Sequence, residues 1–157
     1  MSKLVFPLAA LIILLFAFPS SASLRAISAP VLKWQNGGCQ TTWCRTGWYA
    51  SPAVADLDND GKPEIIWTDY RIVVVNGEDG SDQWIVANPG NQRGWASVVV
   101  ADVNNDGARE IVTAHGNGWL TITNANGTTL SEFPQQPTPG NELRSLAVGD
   151  MDANGDL

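Results

Sequence analysis

After residue 25 no window of the chain carries a helical period. Apolar, β-branched and aromatic residues gather instead in short runs between clusters of Gly, Asn and Asp. These runs predict strands at residues 97–101, at 64–67 and 110–113, and at 72–75 and 119–123. Residues 83–87 and 130–133 are predicted as the fourth strand of each group. Gly80 and Gly127 lie in Gly/Asn/Asp clusters between such runs, which is a hairpin signal. Upstream the pattern is different: residues 4–18 hold neither charge nor polar side chain.

The strand pattern repeats. Residues 53–66 align with 99–112, and 147–157 align with the beginning of both. Asp56, Asp102 and Asp150 are 46 and 48 residues apart, and Gly47-Trp48 precedes Gly94-Trp95 by 47. Four strands in about 47 residues suit the blade of a β-propeller, whose repeats run roughly 40–50 residues. The expected fold is therefore all-β, in four-stranded antiparallel propeller blades that form an incomplete ring. The expected organisation is an N-terminal segment over 23–46, repeat 1 over 47–93, repeat 2 over 94–141 and the start of repeat 3 over 142–157.

The apolar run near the N-terminus follows one positive charge, Lys3, and leads into Pro19-Ser20-Ser21-Ala22-Ser23. That order predicts a secretory signal peptide over residues 1–22, cut after Ala22 or Ser23. The run is 15 residues long and contains Pro7, short of the ~20 that a spanning helix needs. The mature chain is expected in a secreted, extracellular, cell-surface or periplasmic setting. Cys39 and Cys44, the two cysteines, then read as a disulfide, with two free thiols as the alternative. Zinc is disfavoured because His115 is the single His.

Charge sharpens this picture through its placement. The chain of 157 residues has 16 Asp+Glu against 9 Lys+Arg, a formal net charge of −7, and no basic cluster that would neutralise phosphates. Ten of the 16 acids fall in three loops, so the acidity is local. The first two loops read D-x-[DN]-x-D-G-x-x-E and the third begins D-x-D-x-N-G, a spacing that turns alternate side-chain oxygens to one side of a tight turn. An EF-hand starts the same way but needs a bidentate Glu at position 12, where Trp67 and Thr113 stand.

The expected ligands of the first loop are Asp56, Asp58, Asp60 and Glu64, with the carbonyl of Lys62. Those of the second are Asp102, Asn104, Asp106 and Glu110, with the carbonyl of Ala108. Asp150, Asp152 and Asn154 begin a third loop whose ninth position is missing. An all-oxygen set in a flexible loop points to calcium rather than zinc, copper or magnesium. A solvated acidic turn is the simpler alternative, but carboxylates packed so closely repel unless a cation joins them.

At these loops the sequence resembles the FG-GAP/VCBS repeats of integrin-alpha-like propellers, in the degenerate form of secreted bacterial proteins. The resemblance covers about residues 47–157, and Trp48-Tyr49-Ala50-Ser51-Pro52 echoes the F-G-x2-G-A-P segment. It implies a calcium-stabilised extracellular propeller used for adhesion or for display of binding loops. Residues 74–84 also resemble the tryptophan-docking hairpin of quinoprotein-type propellers, in which Trp84 would pack between blades.

Other residues point to less. His115 suits a turn or surface role, and the seven Trp suit core packing more than a sugar-binding face. Asp69, Glu78, Asp79 and Asp82 read as solvated loop charges, and Asn126-Gly127-Thr128 is a glycosylation sequon. No nucleophile elbow, phosphate loop or zinc motif appears. The expected function is a non-enzymatic extracellular binding, adhesion or scaffold module, with a protein or polysaccharide partner and without nucleic acid or a membrane span. The alternative is the leading part of a secreted propeller enzyme, a polysaccharide lyase or quinoprotein-type dehydrogenase. A chain that stops inside its third loop is expected to be a fragment of a longer protein.

Overall fold

A computed structural model describes residues 28–36, 38–39, 44–45 and 49–157. The expected signal peptide, residues 1–22, lies outside the described residues. Among the described residues there is no helix long and apolar enough to cross a membrane. The chain divides into a unit over residues 1–31 and a second over 32–157, and the strands among the described residues all lie in the second.

The fold is all-β, as the strand pattern predicts. A two-stranded ladder joins β1 (Gly38–Cys39) to β2 (Cys44–Arg45) and places Cys39 opposite Cys44. The first large sheet is an antiparallel meander of β3 (Ala53–Ala55), β4 (Glu64–Thr68), β5 (Arg71–Asn76) and β6 (Asp82–Ala87). The second is β7 (Val99–Ala101), β8 (Glu110–Ala114) and β9 (Leu120–Asn124), also antiparallel. Both sheets have the meander order expected of propeller blades, each entered by a short strand that leads into an acidic loop.

The central strands are buried on both faces. Four consecutive residues of β5, Ile72 to Val75, are buried, and so is all of β8. Such strands read as continuous β-branched runs rather than as an alternation. The core joins the two sheets: Leu57, Ile66, Ile72 and Val74 meet Val98 and Ile111, with Trp84 and Ala125 packed on the cluster. Fully burying each of these side chains contributes roughly 1.5–3 kcal/mol.

The expected fourth strand of the second sheet does not form. Residues 129 and 135 make single bridges to Thr123 and Leu120, and the Leu130 N–H donates to the Ile122 carbonyl at 2.9 Å. The physical reason is a tight turn inside the run itself, where the Phe133 N–H returns to the Leu130 carbonyl at 2.9 Å and takes the chain off the sheet edge. In the first sheet β6 is complete apart from a bulge. Val74 pairs with Trp84 while Val75 pairs with Asp82, so Gln83 is the extra residue.

Three further expectations need correction. His115 is fully buried rather than on a turn surface: Nε2 lies 3.1 Å from Thr113 Oγ1 and 3.2 Å from Thr121 Oγ1. Burial lowers its pKa to about 4, so the ring is neutral. Asp69 is not a solvated charge. It is buried, takes the Arg71 N–H at 2.7 Å and pairs with the Arg71 guanidinium at 3.5 Å. The five Trp whose side chains are described, Trp34, Trp67, Trp84, Trp95 and Trp119, are all half-buried, and of these Trp84 packs on the core cluster.

Candidate metal centre

Each acidic loop closes on itself through backbone N–H groups. In the first loop Asp56 Oδ2 accepts from Gly61 N–H at 3.0 Å, and Asp60 Oδ1 accepts from Lys62 N–H at 2.8 Å. The second repeats both bonds, Gly107 to Asp102 at 2.9 Å and Ala108 to Asp106 at 2.8 Å. The third does so again, Gly155 to Asp150 at 2.8 Å and Asp156 to Asn154 at 2.9 Å. Position 4 is left-handed in all three, with φ of 61° at Asn59, 57° at Asn105 and 61° at Ala153. Position 6 is always a left-handed glycine, Gly61, Gly107 or Gly155, because a Cβ would strain that turn.

The ninth position ties the loop to the sheet. Glu64 and Glu110 are the first residues of β4 and β8, yet both are buried. Glu64 Oε2 accepts from Leu57 N–H at 2.8 Å, and Glu110 Oε2 accepts from Val103 N–H at 3.0 Å. Each carboxylate therefore folds back across its loop toward the first-position Asp. Asp56, Asp58 and Glu64 each offer one oxygen within 4.8 Å of the others. Asp60 is not part of that group, nor are the second-loop acids Asp102, Asp106 and Glu110, whose loop has Asn104 at the third position in place of a carboxylate.

Two observations test whether these residues fit a cation. Asp56 Oδ1 is buried without a hydrogen-bond partner, which costs free energy unless something positive joins it. Burial raises the pKa of Glu110, and the nearby Asp106 and Asp102 charges raise it further, against the Val103 N–H. Both loops thus hold concentrated, desolvated negative charge on oxygen atoms. A hard divalent cation takes such a donor set.

Residues 102–157 match the FG-GAP-like repeat family. The matched stretch begins on the first ligand of the second loop and runs through the third. No curated protein and no solved structure matches the chain.

The FG-GAP-like stretch and the first repeat share the loop geometry, but three contacts around the first loop were not legible in the spacing. Gln83, the bulged residue of β6, donates to Glu64 Oε1 at 3.2 Å and to Asn76 Oδ1 at 2.8 Å. Arg109 of the second loop donates to the Asp56 carbonyl at 2.9 Å and so links the two loops. Gly77 N–H donates to the Pro63 carbonyl at 3.1 Å. The one available signal was the bulge-prone Gly-rich hairpin before Gln83.

Proposed function

We propose that the chain is a calcium-stabilised extracellular module of propeller repeats that binds or scaffolds without catalysis. The observation that carries this reading is the buried, unpartnered Asp56 oxygen beside Asp58 and Glu64. The first ion would be held by Asp56, Asp58, Asp60, Glu64 and the Lys62 carbonyl. The second would be held by Asp102, Asn104, Asp106, Glu110 and the Ala108 carbonyl. Calcium there supplies charge neutralisation and cross-links loop to strand; it supplies no reaction. An oxidising location suits the disulfide, and the direct pairing of Cys39 with Cys44 across β1 and β2 supports it.

A contact surface is also present. Tyr49 is 68% exposed and stacks on Trp95 at 5.7 Å. The Arg144 guanidinium lies 5.4 Å over Trp95, and Arg93 lies 4.9 Å over Tyr70. Tyr, Trp and Arg are the residues that dominate protein interfaces. This grouping supports partner binding around Tyr49, Tyr70 and Trp95.

Thermal melting in calcium and in chelator tests the metal reading. Calcium binds only the folded loops, so the melting temperature rises with its concentration. Replacing Asp56 and Asp102 by Ala together abolishes the rise. Equal melting of the unmutated protein in both conditions refutes the reading.

A further inference from the structure

Two tryptophans dock in the same way on successive hairpin turns. Trp84 donates from Nε1 to the Ala125 carbonyl at 2.7 Å, and its ring covers Gly127, where an added Cβ would come within 3.1 Å of it. Trp34 donates from Nε1 to the Gly77 carbonyl at 3.0 Å, and its ring covers Gly80, where an added Cβ would come within 2.4 Å. The turns differ in length by one residue, the first returning its glycine N–H four residues back and the second three. Gly80 and Gly127 have φ of 75° and 86°, and their N–H groups return to the carbonyls of Asn76 and Asn124 at 2.8 and 3.0 Å.

What lies beneath the first turn sets Trp34 apart. The same Gly77 whose carbonyl Trp34 holds gives its N–H to the Pro63 carbonyl at 3.1 Å. The approach is so close that a Cβ on residue 77 would lie 2.3 Å from that oxygen. Pro63 stands between Lys62 and Glu64, the seventh and ninth positions of the first loop. Lys33 Nζ reaches the same Gly77 carbonyl at 3.1 Å, and Asn36 Nδ2 reaches Asp82 Oδ1 at 3.0 Å. A cavity of about 180 Å³, lined by Asp60, Glu64, Asn76 and Glu78 among others, separates the loop from the turn. The Gly77–Pro63 bond, together with the Lys62–Glu78 ion pair at 2.8 Å, joins loop and turn.

We propose that Trp34 is a positioning residue for the first metal loop, acting through Gly77 and Pro63 on Lys62 and Glu64. The inference rests on the calcium reading above. Pro63 already has a fixed φ. With its carbonyl also held, the chain between the seventh and ninth ligand positions has little freedom left to lose when a cation binds. Groups that hold ligands in place typically govern metal affinity by about 10–100-fold. Linkage makes the effect reciprocal: an occupied first loop holds residues 33–36 more firmly on the turn.

Calorimetric calcium titrations of two backgrounds test this. Asp102→Ala with Asp150→Ala leaves the first loop to titrate, and Asp56→Ala with Asp150→Ala leaves the second. Adding Trp34→Ala is expected to weaken the first loop about tenfold and to change the second less than about twofold. Trp34→Phe keeps a ring over Gly80 without the N–H donor, and an intermediate loss is expected. Calcium is also expected to slow amide exchange at Gly77, an effect that Trp34→Ala removes and Trp84→Ala leaves. Equal weakening at both loops marks a general loss of folding and overturns the proposal. An unchanged first-loop affinity overturns it while leaving the calcium reading intact. No calcium uptake by the unmutated chain overturns both.

Discussion

The first and third acidic loops have the same backbone and different surroundings. Both close a glycine N–H onto the first Asp, at 3.0 Å in one and 2.8 Å in the other. In both, a residue with φ of 61° occupies position 4. The first loop then enters β4 and buries Glu64, whereas residues 150–157 are exposed throughout. The shape of the turn is thus local, set by Asx hydrogen bonds and two left-handed positions. The concentration of charge in a dry place is not local, because it needs the ninth-position Glu and a sheet behind it.

Four measurements would break or sharpen this comparison, the largest effect first. Acid should dismantle the sheets while sparing the local turn. His115 is held neutral with its pKa lowered to about 4, below the ordinary 6.5. Its stabilisation is present above pH ~6.5 and is lost as pH falls toward 4, by about 3 kcal/mol. Backbone N–H groups, Gly155 first, hold the Asp150 carboxyl below its ordinary pKa. Urea melts should therefore lose stability between pH 6.5 and 4, and a His115→Gln chain should show a flatter profile over that range. The Asp150 side-chain resonance should titrate below the ordinary aspartate range.

Next in size is the buried glutamate. Glu64→Ala strips the Leu57 N–H of its acceptor at a buried position. The expected cost is about 2 kcal/mol in urea melts made in chelator. Glu64→Gln, which keeps an acceptor oxygen, should recover part of it. A loss seen in calcium but absent in chelator would show that Glu64 acts through metal alone.

The left-handed position should respond by about 1 kcal/mol. Asn59→Ala puts a residue that avoids φ > 0 where Asn stood, and the first sheet should be destabilised by that amount. The third loop already has Ala153 there, and Ala153→Gly should raise amide protection at Asn154 and Gly155 with no change in global melting. Smallest of all, Asp150→Ala should shift global stability by less than about 0.5 kcal/mol, as an exposed substitution away from the core does. A larger shift would mean that the third loop supports the sheets after all.

The same contrast explains how much could be read from the chain. The D-x-[DN]-x-D-G spacing announces the turn because every bond that shapes it joins residues at most five apart. The strand runs at 64–67, 72–75, 110–113 and 119–123 announce themselves by β-branched composition, and β4, β5 and β8 contain the first three while β9 begins one residue late, at Leu120. The run at 130–133 has similar composition and fails, because it turns on itself where the Phe133 N–H returns to the Leu130 carbonyl. His115 and Asp69 were misjudged for another reason. Both follow a strand, where a turn charge is the ordinary expectation, but each end is covered by a segment distant in sequence. The Gly94 N–H reaches the Asp69 carbonyl at 2.6 Å, and Gly94 also bridges to His115.

By itself, then, the sequence determined the repeat, the turn geometry of three loops and the positions of most strands. Those properties depend on interactions between near neighbours, whose spacing is written directly in the chain. The tertiary structure decided which loop atoms are dry and unpartnered, and which side chains reach across. Trp34 on Gly77, Gln83 on Glu64 and Arg109 on Asp56 join residues 43, 19 and 53 positions apart. Those long-range hydrogen bonds exist only once two sheets have packed, so the spacing of residues along the chain does not specify them.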